Sequence, residues 1–539
     1  MKVCLLYEDR ERTNETSYYD STSIIKDLGL KAMFVAASKK LIYENGEVKK
    51  AEKEDQYLTD TLRTVMMSPL SSEEEIRFRQ EIVKDSIDHE ELIRDLYGIS
   101  SRVLLRWNEL GRGPREKMQQ SNPVTKLITD IRVLHLFCDA LSEIRNTINE
   151  QEQKLKSKGL IAFRDELTEA FSEEREEYIR KILDDISFYT DGMDQDDEGR
   201  NKVIKPRIVM ECGLEDGLKF SSLKLEEVTS GSTKFYRPGS TMYKIQDFLN
   251  SRTPDSFSVT KDMHISEQAK TLEYGIVSYL VGELKGFTDE FQTFFDRLKF
   301  QAGFYLAAVQ LKHQLDRIGA ECCFPEVCER RDLEFTDLRE AVMGLERRMT
   351  VIGNTCSLKQ KDLLIVTGAN QGGKSTFLRS IGIAQVMMQC GLMVTALSYR
   401  SGIFPRIFVH FTRREDSEMN SGRLDEELGR MDKIVAQIGE GSLLLLNESF
   451  ATTTEKEGSL IAYDIIKALK EAGVRILTVT HLLSFARRIH EESKDHPEAG
   501  VEFLSAERKE DGTRTFRMIP HEPELTSFGL DLYEEIVES

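Results

Sequence analysis

A short stretch of the sequence has residue types and spacing suited to binding the phosphates of a nucleotide. An apolar run of strand character ends at Gly368, and Gly373, Lys374 and Ser375 then complete the pattern G-x-x-x-x-G-K-[ST]. Glycines let the backbone wrap so that its amides converge on phosphate oxygens, and the helix predicted over residues 376–388 adds positive potential at its N-terminus. The pattern therefore predicts a nucleoside triphosphatase site.

The side chains of this loop have distinct predicted roles. Lys374 supplies positive charge to the outer phosphates, and the hydroxyl of Ser375 is placed to ligate Mg²⁺. Gly372 and Thr376 belong to the same phosphate-binding stretch. A glycine-rich turn without a ligand is the alternative, and the strand before the loop and the helix after it disfavour that alternative. We expect the loop to lie at the surface.

Two more predicted strands end in polar residues that hydrolysis could use. Residues 442–446 lead into Asn447-Glu448, and residues 474–480 lead into His481. Glu448 would orient and deprotonate the attacking water, and His481 would contact the γ-phosphate. Each is a weak indication alone, but the carboxyl ends of parallel strands form the ligand crevice of an open α/β sheet.

Ser421-Gly422 lies between these features and precedes a predicted helix. A helix N-terminus at this point could bind an anion. A surface turn is the simpler interpretation of two residues, and both interpretations stay open on this pattern alone.

Length and composition restrict the class of protein. A chain of 539 residues with 40% apolar and 31% charged residues predicts two to four globular domains. It has no apolar run of the ~20 residues that span a bilayer, and the first apolar stretch is too short for a signal peptide. Eight dispersed cysteines favour the reducing cytoplasm, and we expect no membrane association. The net charge of −19 opposes nucleic-acid binding by the whole surface but permits a local basic strip.

Upstream of the nucleotide motifs, helical patterns dominate. Pro69 ends one predicted helix, and Ser71 with Glu74 predicts a capping box that begins the next. A long helical region follows over 124–186, interrupted near Gly159.

The helical region is followed by a segment of different character. Short alternating runs over 201–262 predict a β-rich insertion with ten basic and eight acidic residues. Helix returns at about His264, and its apolar stripe, which includes Phe287, Phe291 and Phe294, is predicted to pack against the outgoing helices.

The order of the motifs is similar to that in the ATPase domain of MutS DNA mismatch-repair proteins. The matching pieces, in chain order, are residues 367–376, 421–423, 447–448, Gly458 and 480–481. Pro69-Leu70, Ile76 and Arg79 resemble the start of the core domain of that family. The helical arm with its β-rich insertion resembles the lever and clamp of the same proteins.

The resemblance implies a multidomain fold. An all-α lever and core domain with a small β-rich clamp insertion would precede an α/β P-loop domain of the ABC type. The expected boundaries are 1–110 for the N-terminal segment and start of the core, 111–330 for the lever with a clamp at about 201–262, and 331–539 for the ATPase domain.

The resemblance also implies ligands and partners. The nucleotide would be ATP, bound with Mg²⁺, and Asn370 would lie beside its phosphates. Ser421 would face the ATP of the other subunit in a homodimer. Glu448 would activate water and His481 would be the switch histidine. The implied macromolecular partner is double-stranded DNA, structured or mismatched.

Departures from the family pattern modify these expectations. Asn447 replaces an aspartate, which removes one carboxylate from the surroundings of Mg²⁺. We expect weaker metal binding with hydrolysis retained through Glu448. We also expect the mismatch-reading N-terminal domain and most of the dimerising tail to be missing.

The expected DNA contacts are basic residues of the clamp-like segment: Lys202, Lys205, Arg207, Lys234 and Arg237. Phosphate contacts of this kind carry no direct sequence information, so DNA shape would determine selectivity. The first hypothesis is therefore an ATP-dependent clamp on distorted, branched or mismatched DNA. The alternative is an ATP-driven switch acting on a protein or ribonucleoprotein partner without a role in DNA repair.

Overall fold

The computed structural model describes most of the chain. The described residues are 3–8, 18, 20–44, 47–51, 53–110, 123–151, 154–186, 194–195, 201–202, 207–215, 219–229, 263–412, 423–494, 496–509 and 513–523. They divide into two compact units: unit 1 lies within 95–151 and 164–299, and unit 2 lies within 2–94, 152–163 and 300–539. The three-domain division drawn from the sequence stays a prediction.

The elements follow in chain order. The helices are α1 (Ser21–Asp27), α2 (Lys31–Ala37), α3 (Gln56–Met66), α4 (Glu73–Asp88), α5 (Glu90–Leu110), α6 (Pro123–Asn149), α7 (Lys158–Ala170), α8 (Glu173–Ile186), α9 (Met263–Arg317), α10 (Ala341–Arg347), α11 (Lys374–Gln389), α12 (Arg423–Val435), α13 (Glu455–Glu471) and α14 (Leu483–Ser493), with a 3₁₀ turn at Pro497–Ala499. The strands are β1 (Leu41–Glu44), β2 (Glu47–Ala51), β3 (Asp194–Gln195), β4 (Asn201–Lys202), β5 (Arg207–Glu215), β6 (Lys219–Thr229), β7 (Glu326–Val327), β8 (Leu333–Leu338), β9 (Asn354–Leu358), β10 (Leu363–Thr367), β11 (Ser398–Ser401), β12 (Ile407–Phe411), β13 (Leu443–Asn447), β14 (Arg475–Val479), β15 (Val501–Arg508) and β16 (Arg514–Pro520). None of the described helices combines the length and apolar composition needed to cross a bilayer.

Unit 1 is mainly helical, and aromatic side chains hold its helices together. Phe137 of α6 lies 5.3 Å from Phe295 and 5.7 Å from Phe291 of α9, measured between ring centroids. This confirms that the returning helix packs against an outgoing one. Phe287 of the same predicted stripe is 56% exposed, so the packed face of α9 is narrower than the sequence predicts.

The β-rich insertion is described in part. Strands β5 and β6 pair antiparallel, from Arg207 opposite Thr229 to Glu215 opposite Lys219. Residues 230–262, which complete the predicted insertion, lie outside the described residues. The structure therefore supports β-structure in the first half of this segment.

Unit 2 contains the sheet that carries the nucleotide motifs. Its strand order is β12-β13-β14-β10-β15-β16, and all neighbours are parallel except the β15–β16 pair. Every residue of β10, β12, β13 and β14 is buried, as expected for parallel strands covered on both faces. A second sheet has the order β7-β11-β8-β9.

The N-terminal segment belongs to unit 2 as well. The predicted capping box is displaced by one residue: the Ser72 hydroxyl accepts from the Glu75 amide, and the Glu75 carboxylate accepts from the Ser71 amide. Glu73 is the first helical residue, so Ser72 is the position at which a side chain can reach the free amides of the first turn.

A buried arginine joins α4 to two distant parts of unit 2. Arg79 has no solvent exposure, and its guanidinium donates to the carbonyl of Leu6 at 2.8 and 3.1 Å and to that of Cys390 at 3.2 Å. Its charged group also lies 5.0 Å from the ring centroid of Tyr7 and 5.6 Å from that of Phe304. Because Cys390 follows the last residue of α11, Arg79 satisfies a carbonyl at the end of the helix that begins at the phosphate loop.

We predict that Arg79→Met lowers the free energy of unfolding of unit 2 by about 3 kcal/mol, because a buried polar group without a partner costs roughly 1–3 kcal/mol. Urea denaturation followed by circular dichroism measures the change. Arg77→Met is the matched control, since Arg77 is exposed and pairs with Glu73 on the same helix. Its expected effect is below ~0.5 kcal/mol, and equal effects of the two substitutions would contradict the assigned role of Arg79.

Candidate functional site

The phosphate loop connects β10 to α11 through backbone that favours glycine. Gly368 has φ of +105° and Gly373 has φ of +90°, both in the left-handed region. At Gly368 a Cβ atom would also lie 2.8 Å from the backbone nitrogen of Ala506. Glycine at these two positions therefore permits the backbone turn of the loop. Helix α11 begins directly after Gly373, at Lys374.

Lys374 is buried and only 4% exposed, whereas Asn370 and Gln371 of the same loop are exposed, as expected for a surface loop. Its ammonium donates to the carbonyls of Gly368 at 2.7 Å and Ala369 at 2.9 Å. Burial lowers the pKa of Lys374, and the negative charge of Glu448 acts in the opposite direction. An anion beside the ammonium would offset the desolvation that lowers this pKa.

A cleft of about 610 Å³ opens in front of the loop. Phosphate-loop residues and Glu448 contribute polar groups to its lining. Apolar side chains also contribute. The lining includes Gly372, Gly373, Lys374, Ser375, Thr376 and Glu448 among the former, and Met343, Met349, Val351 and Ile352 among the latter. The cleft has the size and mixed lining of a small-molecule site.

Glu448 is held by backbone bonds from both neighbouring strands. It follows β13 with φ of +54°, a left-handed conformation that is strained for a residue with a side chain. Its amide donates to the carbonyl of Val479 at 2.8 Å, and its carbonyl accepts from the hydroxyl of Thr412 at 2.7 Å. The unusual conformation is thus fixed from two sides and directs the carboxylate into the cleft. Sequence reasoning missed Thr412, because no motif marks it.

Asn447, which precedes Glu448, is not among the residues that line the cleft. The residue is 9% exposed, and its side-chain Oδ1 is buried without a hydrogen-bond partner within the described residues. The Ser375 hydroxyl and the Glu448 carboxylate, which belong to lining residues, offer hard oxygen atoms, the ligands that Mg²⁺ prefers. The described residues form no cluster of three His, Cys, Asp or Glu side chains that could hold a metal alone. The residues fit an Mg²⁺ ion held in part by nucleotide phosphates.

The turn after Glu448 is fixed by residues that sequence reasoning missed. Glu427 is 6% exposed, and its carboxylate accepts from the amide of Phe450 at 2.6 Å and the hydroxyl of Thr452 at 2.7 Å. The ring of buried His410 makes a hydrogen bond of 2.7 Å with Ser449. Phe450 has φ of +64°, so these bonds hold a second left-handed residue close to Glu448.

His481 lies at the same edge of the sheet but is exposed and outside the cleft lining. It follows β14, which runs between β10 and β13. The preceding residue, Thr480, donates from its amide to the carbonyl of Val366 at 3.0 Å. The backbone directly before His481 is therefore hydrogen-bonded to the strand that leads into the phosphate loop.

A hairpin made by β15 and β16 lies beside the loop. Arg514 donates to the side chain of Gln371 at 2.9 Å, and Phe516 lies 3.5 Å from a Cβ atom placed on Gly373. Asn354 fixes this strand by donating to the carbonyl of Phe516 at 3.2 Å and accepting from the amide of Met518 at 2.7 Å. Asn370 is exposed and outside the cleft lining, whereas the adjacent Gln371 is part of it.

Other predicted site residues cannot be placed. Ser421, Lys205, Lys234 and Arg237 lie outside the described residues. For Lys202 and Arg207 the structure describes only the backbone, in β4 and β5. The trans contact and the DNA contacts stay predictions.

Comparison with known proteins points to one family. The family model of MutS domain V matches residues 364–536. The family model of the MutS2 N-terminal domain matches residues 71–318. A curated protein named Endonuclease MutS2, from Lacticaseibacillus casei (strain BL23), is 25% identical over 279 residues, which are 51% of this chain and 32% of the relative.

Two more proteins of that name differ in coverage. The one from Staphylococcus carnosus (strain TM300) is 22% identical over 383 residues, 68% of this chain and 42% of the relative. The one from Thermomicrobium roseum is 30% identical over 181 residues, 33% of this chain and 23% of the relative. The chain spans between 23% and 42% of the length of these three curated relatives.

The matched ranges include the features that first indicated the resemblance. The domain V match contains the phosphate loop, Asn447-Glu448 and His481, and the MutS2 match contains Arg79 and the helices of unit 1. The resemblance drawn from the motifs is confirmed. This chain belongs to the MutS family.

Proposed function

We propose that this chain is a MutS-type ATPase that binds ATP with Mg²⁺ and uses its hydrolysis to change conformation on DNA. The observation that carries the proposal is that Lys374, Ser375 and Glu448 line one cleft. They supply a cation for phosphate oxygens, a hydroxyl for a metal ion and a carboxylate for water. Phosphoryl transfer to water depends on this combination of positioning and electrostatic stabilisation.

ATP binding would exchange internal contacts of the loop for contacts with phosphate. Lys374 donates to two loop carbonyls, and phosphate oxygens would offer its ammonium stronger, charge-assisted acceptors. The amides at the start of α11 would bind the same oxygens. The apolar residues of the cleft lining, such as Met349 and Ile352, suit the faces of a purine ring.

Hydrolysis would use the carboxylate of Glu448 as general base. Glu448 takes a proton from a water molecule as that water bonds to the γ-phosphorus, and the bond from this phosphorus to the bridging oxygen breaks. His481, which follows the intervening strand and lies outside the cleft lining, would have to approach the nucleotide to contact its γ-phosphate. Ser375, Glu448 and the adjacent Asn447 would hold Mg²⁺, which would supply positive charge to the phosphate oxygens.

The proposed partner is double-stranded DNA of distorted, branched or mismatched structure. Support comes from the match of the helical unit to the MutS2 N-terminal model and from the basic residues of the clamp-like segment. The proposed assembly is a homodimer in which Ser421 faces the ATP of the other subunit. A cytoplasmic location accords with the described cysteines, which are all free thiols.

Lys374→Ala should lower the affinity for ATP by at least ~10-fold, because a hydrogen bond to a charged group contributes ~1.5–3 kcal/mol. Titration of a fluorescent ATP analogue measures the affinity. Lys361→Ala is the matched control: it removes the same group just before β10, where Lys361 contacts Glu502. Unchanged affinity in the Lys374 variant would disprove the nucleotide site.

Glu448→Gln should keep ATP binding and slow turnover at least ~10²-fold, which is the usual contribution of a positioned general base. Single-turnover phosphate release measures the rate, and the ATP-bound dimer is expected to accumulate. The control is Glu440→Gln, an exposed residue before the other end of β13. Hydrolysis at the wild-type rate in Glu448→Gln would mean that another group activates water.

DNA binding should favour branched over matched duplex and discriminate little between matched duplex and a single mismatch, because the predicted contacts are to phosphates. Competition binding at fixed salt tests this. Replacing Lys202, Lys205, Arg207, Lys234 and Arg237 by Glu should abolish binding. The charge-matched control replaces five exposed lysines of unit 2 by Glu: Lys359, Lys433, Lys456, Lys494 and Lys509.

Two results would contradict this account of DNA binding. Tight, selective binding to one G·T mispair would show that another segment reads mismatches. Absence of any DNA binding, with a partner retained from cell extract in the presence of ATP after nuclease treatment, would favour the switch acting on a protein or ribonucleoprotein.

A further inference from the structure

The N-terminal helix α1 packs directly on the elements that carry the nucleotide site. Leu28, which follows α1, has no solvent exposure. A Cβ atom placed on Gly382 of α11 would lie 2.9 Å from Leu28 Cδ2 and 2.6 Å from Leu445 Cδ1 of β13. The end of α1 is therefore in close contact with the phosphate-loop helix, at a glycine that leaves room for it.

Asp27, the last residue of α1, binds the edge strand of the sheet. Its side chain is 3% exposed, and its Oδ2 accepts from the guanidinium of Arg430 at 3.0 Å and from the amide of Phe411 at 3.4 Å. Arg430 in turn donates to the carbonyl of Phe411 at 2.8 Å. Asp27 and Arg430 thus hold both backbone groups of the last residue of β12.

This contact compensates for the position of β12 in the sheet. β12 is the first strand in the order and has a neighbouring strand on one side only. The backbone groups on its other side need partners of a different kind, because buried amides and carbonyls are costly when unpaired. The ion pair of buried Asp27 and partly buried Arg430 supplies them at Phe411.

Phe411 is joined to Glu448 through the next residue. The amide of Thr412 donates to the carbonyl of Asn447 at 3.1 Å, and its hydroxyl donates to the carbonyl of Glu448 at 2.7 Å. A shift of Phe411 would therefore move one of the two backbone contacts of Glu448. That residue has φ of +54°, so its conformation depends on such external contacts.

We propose that Asp27 is a positioning residue for Glu448 in ATP hydrolysis, acting through Phe411 and Thr412. This role rests on the proposed ATPase activity. Asp27 lies outside both matched family ranges, 71–318 and 364–536, so neither match assigns it. Asp27 does not line the nucleotide cleft, so it would affect the rate of hydrolysis and not the affinity for ATP.

Steady-state ATPase measurements on the full chain test the proposal. Asp27→Ala is expected to lower kcat by about 10- to 100-fold, the cost of a misplacement of ~1 Å at a reacting group, with KM and the affinity for ATP changed less than twofold. Asp27→Asn keeps the shape of the side chain and serves if the alanine variant does not fold. Asp27→Asn should also lower kcat, by a smaller factor than Asp27→Ala.

A double-mutant cycle distinguishes positioning from a loss of general stability. Because Asp27 and Arg430 act on the same residue, Arg430→Gln should lower kcat as well, and adding it to Asp27→Asn should lower kcat by much less than the product of the single effects. Asp20→Ala is the matched control, since Asp20 caps the other end of α1 by accepting from the amide of Ser23 at 2.9 Å. That control should lower the thermal midpoint and leave kcat unchanged.

Three results would overturn the proposal. Wild-type kcat in a folded Asp27 variant would show that Glu448 does not depend on it. An equal loss of kcat in Asp20→Ala would assign the effect to the stability of α1. Absence of ATP turnover in the wild-type chain would contradict the proposed function itself, whereas the first two results would leave that function intact.

Discussion

The site depends on the meeting of three neighbouring parallel strands at one edge of the sheet. β10, β14 and β13 are buried along their whole length, and the chain leaves each of them at its carboxyl end. The phosphate loop, His481 and Glu448 follow these three ends. Glu448 is 74 positions from Lys374 in the sequence. The two residues come together because parallel strands end at the same edge of the sheet.

Backbone conformation is the second constraint. Gly368 and Gly373 adopt left-handed conformations at no steric cost, whereas Glu448 and Phe450 adopt them with side chains. The cost at Glu448 and Phe450 is offset by buried hydrogen bonds from Thr412, Val479 and Glu427. The region around the proposed general base is thus rigid because neighbouring elements hold it, which suits a group that must be positioned before reaction.

The edge of the sheet shows how a segment distant in sequence becomes part of the site. The ion pair of Asp27 and Arg430 binds the backbone of Phe411 on the edge of β12 that has no neighbouring strand. Leu28, which follows α1, contacts the phosphate-loop helix. Arg79 makes a similar connection at the C-terminal end of that helix. Asp27 and Arg79 are buried charged groups with two or more hydrogen bonds each, the arrangement in which loss of a partner is most costly.

The sequence by itself determined the phosphate loop and the family. It also determined the two strands that end before Glu448 and His481. Glycine spacing and short apolar strands are local patterns, and local patterns can be read from the sequence. It also indicated the helical arm and the first strands of its insertion. It placed the cap of α4 one residue too early and did not indicate that Lys374 is buried, since neither the exact helix start nor the burial of a lysine follows from local composition.

Only the tertiary structure decided which residues support the site. Thr412, Glu427, Asn354 and Asp27 have no motif, and their roles arise from contacts with residues 23 to 384 positions away. Such contacts depend on strand order and on the packing of helices against the sheet edge. A pattern of neighbouring residues carries no information about that order, because it is set by burial and hydrogen bonding across the whole unit.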